Sequence, residues 1–286
     1  MALTIRVHHK PTSVEEAQQM LRRGGETAAY LAGGTALLAH PQRPIETVVD
    51  LSGLGLDYIR RGADERGAPR LEIGAMTTLQ TLVDSPQLAS FAGGLLATAA
   101  HHTATRTIRN AATVGGSIGA CGQTSDIIVA LLALQAEVVA GNGRLLTLED
   151  ILANRYPTQT PRLYTEIHVY EIFSGLSSSF LRVARLPSDQ AIVNVAVAMH
   201  LEGGVCARAC VAAGGIAEKP RRLEIPAAML ERRVPDAAHV PSVVDMTMAT
   251  VHPESDVFGS ADYRRAMMGV LLRRAVEQCV AQEKQR

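Results

Sequence analysis

Two glycine-centred stretches and one carboxylate hold most of the chemistry legible in this sequence. Ala32-Gly33-Gly34-Thr35 ends an apolar run, and Asn110 to Asp126 (NAATVGGSIGACGQTSD) ends in an acid just before another. Paired glycines reach backbone angles closed to other residues, so consecutive N–H groups can point into one concavity and hold an anion. A single Gly-Gly is more often a plain turn, and six such pairs occur in the chain. Neither loop is a common nucleotide motif. There is no GxxxxGK[ST] and no GxGxxG after a strand, which disfavours nucleoside triphosphate hydrolysis and a Rossmann site.

Asp126 narrows the choice. A carboxylate repels a pyrophosphate but accepts hydrogen bonds from sugar-like hydroxyls. Two glycine loops and a nearby acid therefore suit a dinucleotide that also carries a polyol, which describes FAD. Ser125-Asp126 equally makes a good cap for the apolar helix that follows, and one role does not exclude the other.

Other reactive residues form no constellation. Of four cysteines, only Cys206 and Cys210 are close in sequence, in VCARACVAAGG. Their even spacing on a strand puts both on one face, as small buried side chains. His8-His9 and His101-His102 are adjacent pairs whose side chains diverge, and HExxH is missing. No metal site is expected, and no nucleophile–base pair, so no catalytic residue is assigned.

The elements that position these residues follow from pattern. With 286 residues and a formal net charge of +0, the chain can bury a large core, and nothing suggests a nucleic-acid or acidic-membrane partner. No apolar run reaches membrane-spanning length and MALTIRVHHKP does not read as a secretory signal, so a soluble cytoplasmic protein with unpaired cysteines is expected. Ser13 to Glu16 is a capping box opening a helix that ends at Gly24-Gly25. Strands are expected at Ala28 to Ala32, Ile45 to Leu51, Arg70 to Ala75 and Ala136 to Ala140. A short helix should follow Gly33-Gly34, and helices are expected at Thr78 to Val83, Pro86 to His101 and Ile127 to Leu134, with a turn at Gly141-Asn142-Gly143. GLSSS at 175 to 179 reads as a linker. Beyond it, Phe180 to Leu186, Ala191 to Leu201 and Val205 to Gly215 form an antiparallel meander with a hairpin at Gly203-Gly204. Helices at about Ala227 to Arg232 and at Ala261 to Gln282 complete a second, α+β half.

At the glycine loops the sequence resembles a family. AGGT at 32 to 35, IRNAATVGGS at 108 to 117, SD at 125 to 126 and LLALQAEV together resemble the FAD-binding subunit of molybdenum hydroxylases, the xanthine dehydrogenase and aerobic carbon monoxide dehydrogenase relatives. The resemblance continues in family order through LEIGAMTTLQTLVDSP, TEI at 165 to 167, IVNVA, AAGGIAEKPRR and YRRAMMGVLLRRA, nearly the whole chain.

The resemblance implies an α+β fold. An FAD-binding domain of the vanillyl-alcohol oxidase type, 1–175, with subdomains about 1–55 and 56–175, would precede a smaller α+β domain, 176–286, with a three-stranded antiparallel sheet and helices. It implies non-covalent FAD whose pyrophosphate is wrapped by backbone donors of Leu31, Ala32, Gly33, Gly34, Thr35 and Ala36 and of Thr113, Val114, Gly115, Gly116 and Ser117. Asp126 would contact the flavin's polar chain, Ile167 lies near a flavin-contacting aliphatic position, and Arg182 stands where the family usually has a lysine. Ala112 and Gln123 replace a common glycine and a frequent proline, and no four-cysteine insertion for an extra iron–sulfur cluster is present.

The implied activity is electron transfer. Partner chains would be a 2Fe-2S subunit and a large molybdopterin-binding subunit, in a dimer of heterotrimers, with this chain passing electrons through FAD to a terminal acceptor. Other readings of the same fold are a stand-alone flavin reductase, for which no ring-side proton donor can be assigned, and a non-catalytic assembly module.

Overall fold

A computed structural model describes residues 4–39, 44–154, 161–173 and 175–285. In chain order its elements begin β1 (Val7–His9), α1 (Val14–Gly24), β2 (Ala28–Leu31), β3 (Thr47–Asp50), β4 (Ile59–Ala63), β5 (Pro69–Gly74) and α2 (Leu79–Asp84). Next come α3 (Pro86–Ser90), α4 (Leu95–His102), α5 (Arg106–Arg109), α6 (Val114–Ala120), α7 (Asp126–Ala133), β6 (Glu137–Ala140), β7 (Leu145–Thr147), α8 (Leu148–Leu152) and β8 (Tyr164–Tyr170). The C-terminal run is β9 (Ser177–Val183), β10 (Val193–Glu202), β11 (Val205–Gly214), β12 (Arg221–Arg222), α9 (Glu224–Leu230), α10 (His239–Thr250) and α11 (Ala261–Glu283). They group into two compact units. One is Met1–Thr81, Thr105–Ala120 and Glu137–Val169; the other is Leu82–Ala104, Cys121–Ala136 and Tyr170–Arg286.

The first unit holds two sheets. Helix α1 starts as its capping box dictates, Ser13 accepting from the Glu16 N–H at 3.2 Å, and stops at Gly25 with φ 61°. Its buried Ala17 and Leu21 pack on Ala28, Val49 and Leu51. This covers a parallel sheet of order β1-β3-β2, which delivers Gly33 and Gly34 at the C-terminal end of β2, where turn structure replaces the expected short helix. The second sheet has the order β4-β5-β8-β6-β7, its β6–β7 hairpin closed at Gly143 with φ 79°, as the turn signal indicated.

In the second unit the meander is present but gains an edge. The sheet order is β12-β11-β10-β9, four strands where three were expected, because Arg221 and Arg222 pair with Ala213 and Ala212. Gly203 (φ 57°) and Gly204 (φ 84°) form the hairpin turn with positive φ at both positions that suits strand twist. Val193, Val195, Val197 and Met199 pack with Leu272, Val276 and Cys279 of α11. The alternate residues Ala196, Ala198 and Ala212 are small, and α7, buried along its whole length, packs on β10 and β11.

Three expectations are corrected. Ser177, Ser178 and Ser179 are buried residues of β9 rather than a linker, and two of the three hydroxyls find internal partners: Ser178 Oγ donates to Ala92 O at 2.6 Å and Ser179 Oγ to Gln278 Oε1 at 2.6 Å, while Ser177 Oγ is buried without one. The helix expected over Pro86 to His101 is broken at Ala92, Gly93 and Gly94, whose φ values of 47°, 62° and 78° turn the chain left-handed. Cys206 and Cys210 lie on opposite faces, Cys206 in the α11-side core and Cys210 accepting from Gln135 Nε2 at 2.8 Å. A register shift between His200 and Leu201 reverses the alternation between the two cysteines.

Candidate functional site

The glycine loops meet within the first unit. A Cβ on Gly33 would overlap the carbonyl of Ala111, and Gly34 has φ 72°, so both positions require glycine, for different reasons. The N–H groups of Gly33, Gly34 and Thr35 have no acceptor among the described residues. They are a short run of consecutive donors on a partly exposed loop, the arrangement an anion needs.

The second loop is built differently from expectation. Val114 N–H donates to Thr77 O at 3.0 Å and Gly115 N–H to Ala75 O at 2.8 Å. Gly116 N–H donates to Thr113 Oγ1 at 3.0 Å and Ser117 N–H to Thr113 O at 2.9 Å. These donors are already engaged inside the fold, which anchors the start of α6 on the chain leaving β5. Thr113 and Val114 are themselves buried. Gly115 is a packing glycine, since a Cβ there would come within 2.7 Å of the Ala75 methyl. This loop is the wall against which Gly33 packs, and the first loop holds the unsatisfied donors.

In the second unit Asp126 opens α7 and is buried. Ser125 occupies the N-cap position without a side-chain capping bond, so of the expected cap only the placement is realised. Asp126 Oδ1 accepts from Asn194 Nδ2 at 2.6 Å, while Oδ2 faces Arg182 Nε at 3.7 Å, too far for a hydrogen bond. Burial pushes the Asp126 carboxyl up to about 6, against the opposing pull of Arg182 and Asn194. Arg182 spends its outer nitrogens on backbone carbonyls, Nη1 on His102 O at 2.7 Å and Pro187 O at 3.0 Å, and Nη2 on Asp189 O. Its Nε is buried and unpaired. A buried donor without a hydrogen-bond partner thus sits beside a carboxylate oxygen with spare accepting capacity.

Ile167 is fully buried in β8, opposite Val138, and offers no surface to a ligand; strand alternation turns it into the core. Its neighbours on the other face, Glu166 and His168, join an unanticipated cluster. Tyr58 OH donates to Glu166 Oε2 at 2.5 Å, His168 Nε2 lies 2.5 Å from Glu166 Oε1, and Arg60 bridges Glu166 and Glu72 at 3.0 and 2.8 Å. Burial raises Glu72, but its bonds from Arg70 and Arg60 outweigh that and hold the carboxyl below its usual range. Glu72, Glu166 and His168 are close enough for a cation, yet their carboxylates are already met by guanidinium and phenol donors. Asn194 also escaped notice; its one signal is a lone amide inside the apolar strand IVNVAVAM.

The first unit thus carries a short run of unsatisfied backbone donors and the second a buried carboxylate beside an arginine. Residues 3–169 match the family described as the FAD binding domain in molybdopterin dehydrogenase, and residues 178–279 match the CO dehydrogenase flavoprotein C-terminal domain. The chain belongs to this family of FAD subunits of molybdenum hydroxylase-type complexes. It is 33% identical to the uncharacterised protein YgfM of Escherichia coli (strain K12) over 92% of each chain. It is 30% identical to the carbon monoxide dehydrogenase medium chain of Afipia carboxidovorans over 97% of each. A carbon monoxide dehydrogenase structure from Hydrogenophaga pseudoflava superposes with TM-score 0.89 at 28% identity, covering 98% of this chain and 99% of that one. Among the described residues no helix is long and apolar enough to cross a membrane.

Proposed function

We propose that this chain is the electron-transfer subunit of a multi-subunit molybdenum hydroxylase, taking electrons from iron–sulfur clusters in a partner subunit and passing them through non-covalent FAD to a terminal acceptor. The observation that carries this reading is the run of unsatisfied donors at Gly33, Gly34 and Thr35, walled by Ala111. FAD, when bound, supplies reversible electron uptake; the protein supplies binding, orientation and electrostatics. Leu31 to Ala36 would hold the pyrophosphate. Thr113 to Ser117 would support that loop through the anchored start of α6, where Gly116 lies beside Ala32, while Gly33 packs on Ala111 and Ala112. Asp126 Oδ2, beside the charge of Arg182, would accept a hydroxyl of the flavin's polyol chain.

Arg182, its plane fixed by its carbonyl partners, would supply the positive charge that a lysine supplies in the family. A subunit with this role requires no substrate acid or base. Along the sequence we assign 1–175, with parts about 1–55 and 56–175, to an FAD-binding domain of the vanillyl-alcohol oxidase type, followed by 176–286, with Leu82–Ala104 and Cys121–Ala136 of the first segment grouping in space with the second. We further propose a dimer of heterotrimers in the cytoplasm with 2Fe-2S and large molybdopterin subunits, supported by near full-length likeness to medium chains.

The test is to purify the chain and record its visible spectrum and flavin content. A yellow protein with about one FAD per chain, reduced by a reduced 2Fe-2S partner, is expected. A colourless protein that takes up no added FAD would sink the reading. Turnover of NADH with a small substrate in the absence of other chains would favour the stand-alone reductase instead.

A further inference from the structure

Asn194 is fully buried in β10, at the rung where it pairs with Arg182 on β9 and Gly214 on β11. Farther along the same face stand Ala196 and Ala198, and the apolar helix α7 packs on this strand. A carboxamide in such a setting is costly unless paired, and this one is paired on one side only. Nδ2 donates to Thr124 O at 2.9 Å and to Asp126 Oδ1 at 2.6 Å, while Oδ1 is buried without a partner. The arrangement retains the donor end at the expense of the acceptor end, so it is the donors that matter.

The surroundings support the same turn. Gln190 Nε2 donates to Thr124 Oγ1 at 3.0 Å, Gln123 Nε2 to Ala217 O at 3.0 Å, and Gly215 N–H to Gln123 O at 3.1 Å. Gly214 leaves room for the amide, because a Cβ there would lie 2.5 Å from Asn194 Oδ1. Residues 123 to 126 are therefore held from the ends of β10 and β11, with Asn194 the contact that reaches the carboxylate itself.

We infer that Asn194 is a positioning residue for flavin binding: by occupying Asp126 Oδ1 it leaves Oδ2 turned towards Arg182 Nε and able to accept a hydroxyl of the flavin's polyol chain. This rests on the FAD reading above. An amide does the task without charge, so the balance between Asp126 and Arg182 is undisturbed. A carboxylate in its place reverses the effect, since two carboxylates at this distance must share a proton. Arg182 from β9 is the charged group acting on Asp126; His102, at the end of α4, meets Arg182 through its backbone carbonyl; β10 and β11 contribute the neutral amide and Gly214.

The experiment measures FAD dissociation constants by flavin fluorescence from about pH 5.5 to 8.5, with a melting temperature at each pH. The proteins are the full-length wild type, Asn194→Asp, Asn194→Ala and the exchange variant Asp126→Asn/Asn194→Asp. Asn194→Asp should bind FAD about tenfold or more weakly at the alkaline end and recover towards acid, as the shared proton returns. Asn194→Ala should be weakened at every pH. The exchange variant restores an amide–carboxylate pair and hence stability, but its carboxylate lies on the wrong side, so FAD binding should stay weak. Wild-type affinity in Asn194→Asp or Asn194→Ala across the range overturns the inference, as does an exchange variant that regains both stability and affinity. If Asn194→Asp does not fold, the other two variants decide. A wild-type chain that binds no FAD fails the underlying reading instead, which separates the two failures.

Discussion

Asp126 is a carboxylate kept from water, and its raised pKa of about 6 records the conflict between burial and its partners Arg182 and Asn194. A folded-state value above the ordinary 3.8 means that folding favours the protonated acid. That contribution to stability is complete below about pH 3.8 and is lost as pH rises through about 6. Asp126→Asn should therefore flatten the pH dependence of the melting temperature between these values while weakening FAD, and an unchanged slope would count against the assignment. At the glycine loops the expected outcomes separate by mechanism. Gly34→Ala meets a positive φ and should cost about 1 kcal/mol, with FAD content reduced in proportion to folding. Gly33→Ala collides with the Ala111 carbonyl, so the loop must move and FAD should be lost even in the fraction that folds, read as flavin per folded chain. That glycines were needed was legible in AGGT and VGGS. Which loop keeps its donors unsatisfied was not, because it depends on carbonyls of Ala75 and Thr77 contributed from elsewhere in the chain.

Among the elements, β9 shows how a strand edge is closed by side chains. Ser178 N–H donates to Gln282 Oε1 at 3.0 Å and Gln282 Nε2 donates to Ser178 O at 2.9 Å, so an amide from α11 stands in for a neighbouring strand. Gln282→Ala should cost about 1–2 kcal/mol in chemical denaturation, through unmet backbone groups rather than lost apolar area. GLSSS resembles a linker because serines are usually solvated, and it is a strand because α11 and Ala92 supply partners for it. The break in Pro86 to His101 and the reversal between Cys206 and Cys210 share one cause. Periodicity carries no mark of a left-handed turn at a non-glycine residue such as Ala92, or of a bulge that shifts phase by one. Helix α1, by contrast, was legible to its ends, because the cap and the stop are local chemistry.

On the scale of the whole molecule, the second unit is assembled from discontinuous chain. Leu82–Ala104 and Cys121–Ala136 group with Tyr170–Arg286, and α7 in particular packs on β10 and β11. A fragment of 176–286 alone would expose the small-residue face of that sheet, and it is expected to aggregate or stay poorly ordered, as seen in its amide NMR dispersion. A well-dispersed monomer would show that α7 is dispensable. In the intact chain, Leu131→Ala, inside the buried α7, should cost about 2–5 kcal/mol by denaturant titration, the usual range for a truncated buried leucine.

Local and pairwise chemistry was therefore determined by the sequence itself: the family, the α+β character, the hairpin at Gly203-Gly204, the capped start of α1, and the need for glycine at the two loops. These depend on residue type and near spacing, which the chain writes down directly. Only the tertiary structure decided that the first loop keeps its donors while the second spends them, that Ile167 is core, and that Asp126 is governed by Arg182 and Asn194. Each of these is a question of which distant carbonyl or side chain arrives first, and that is settled by packing.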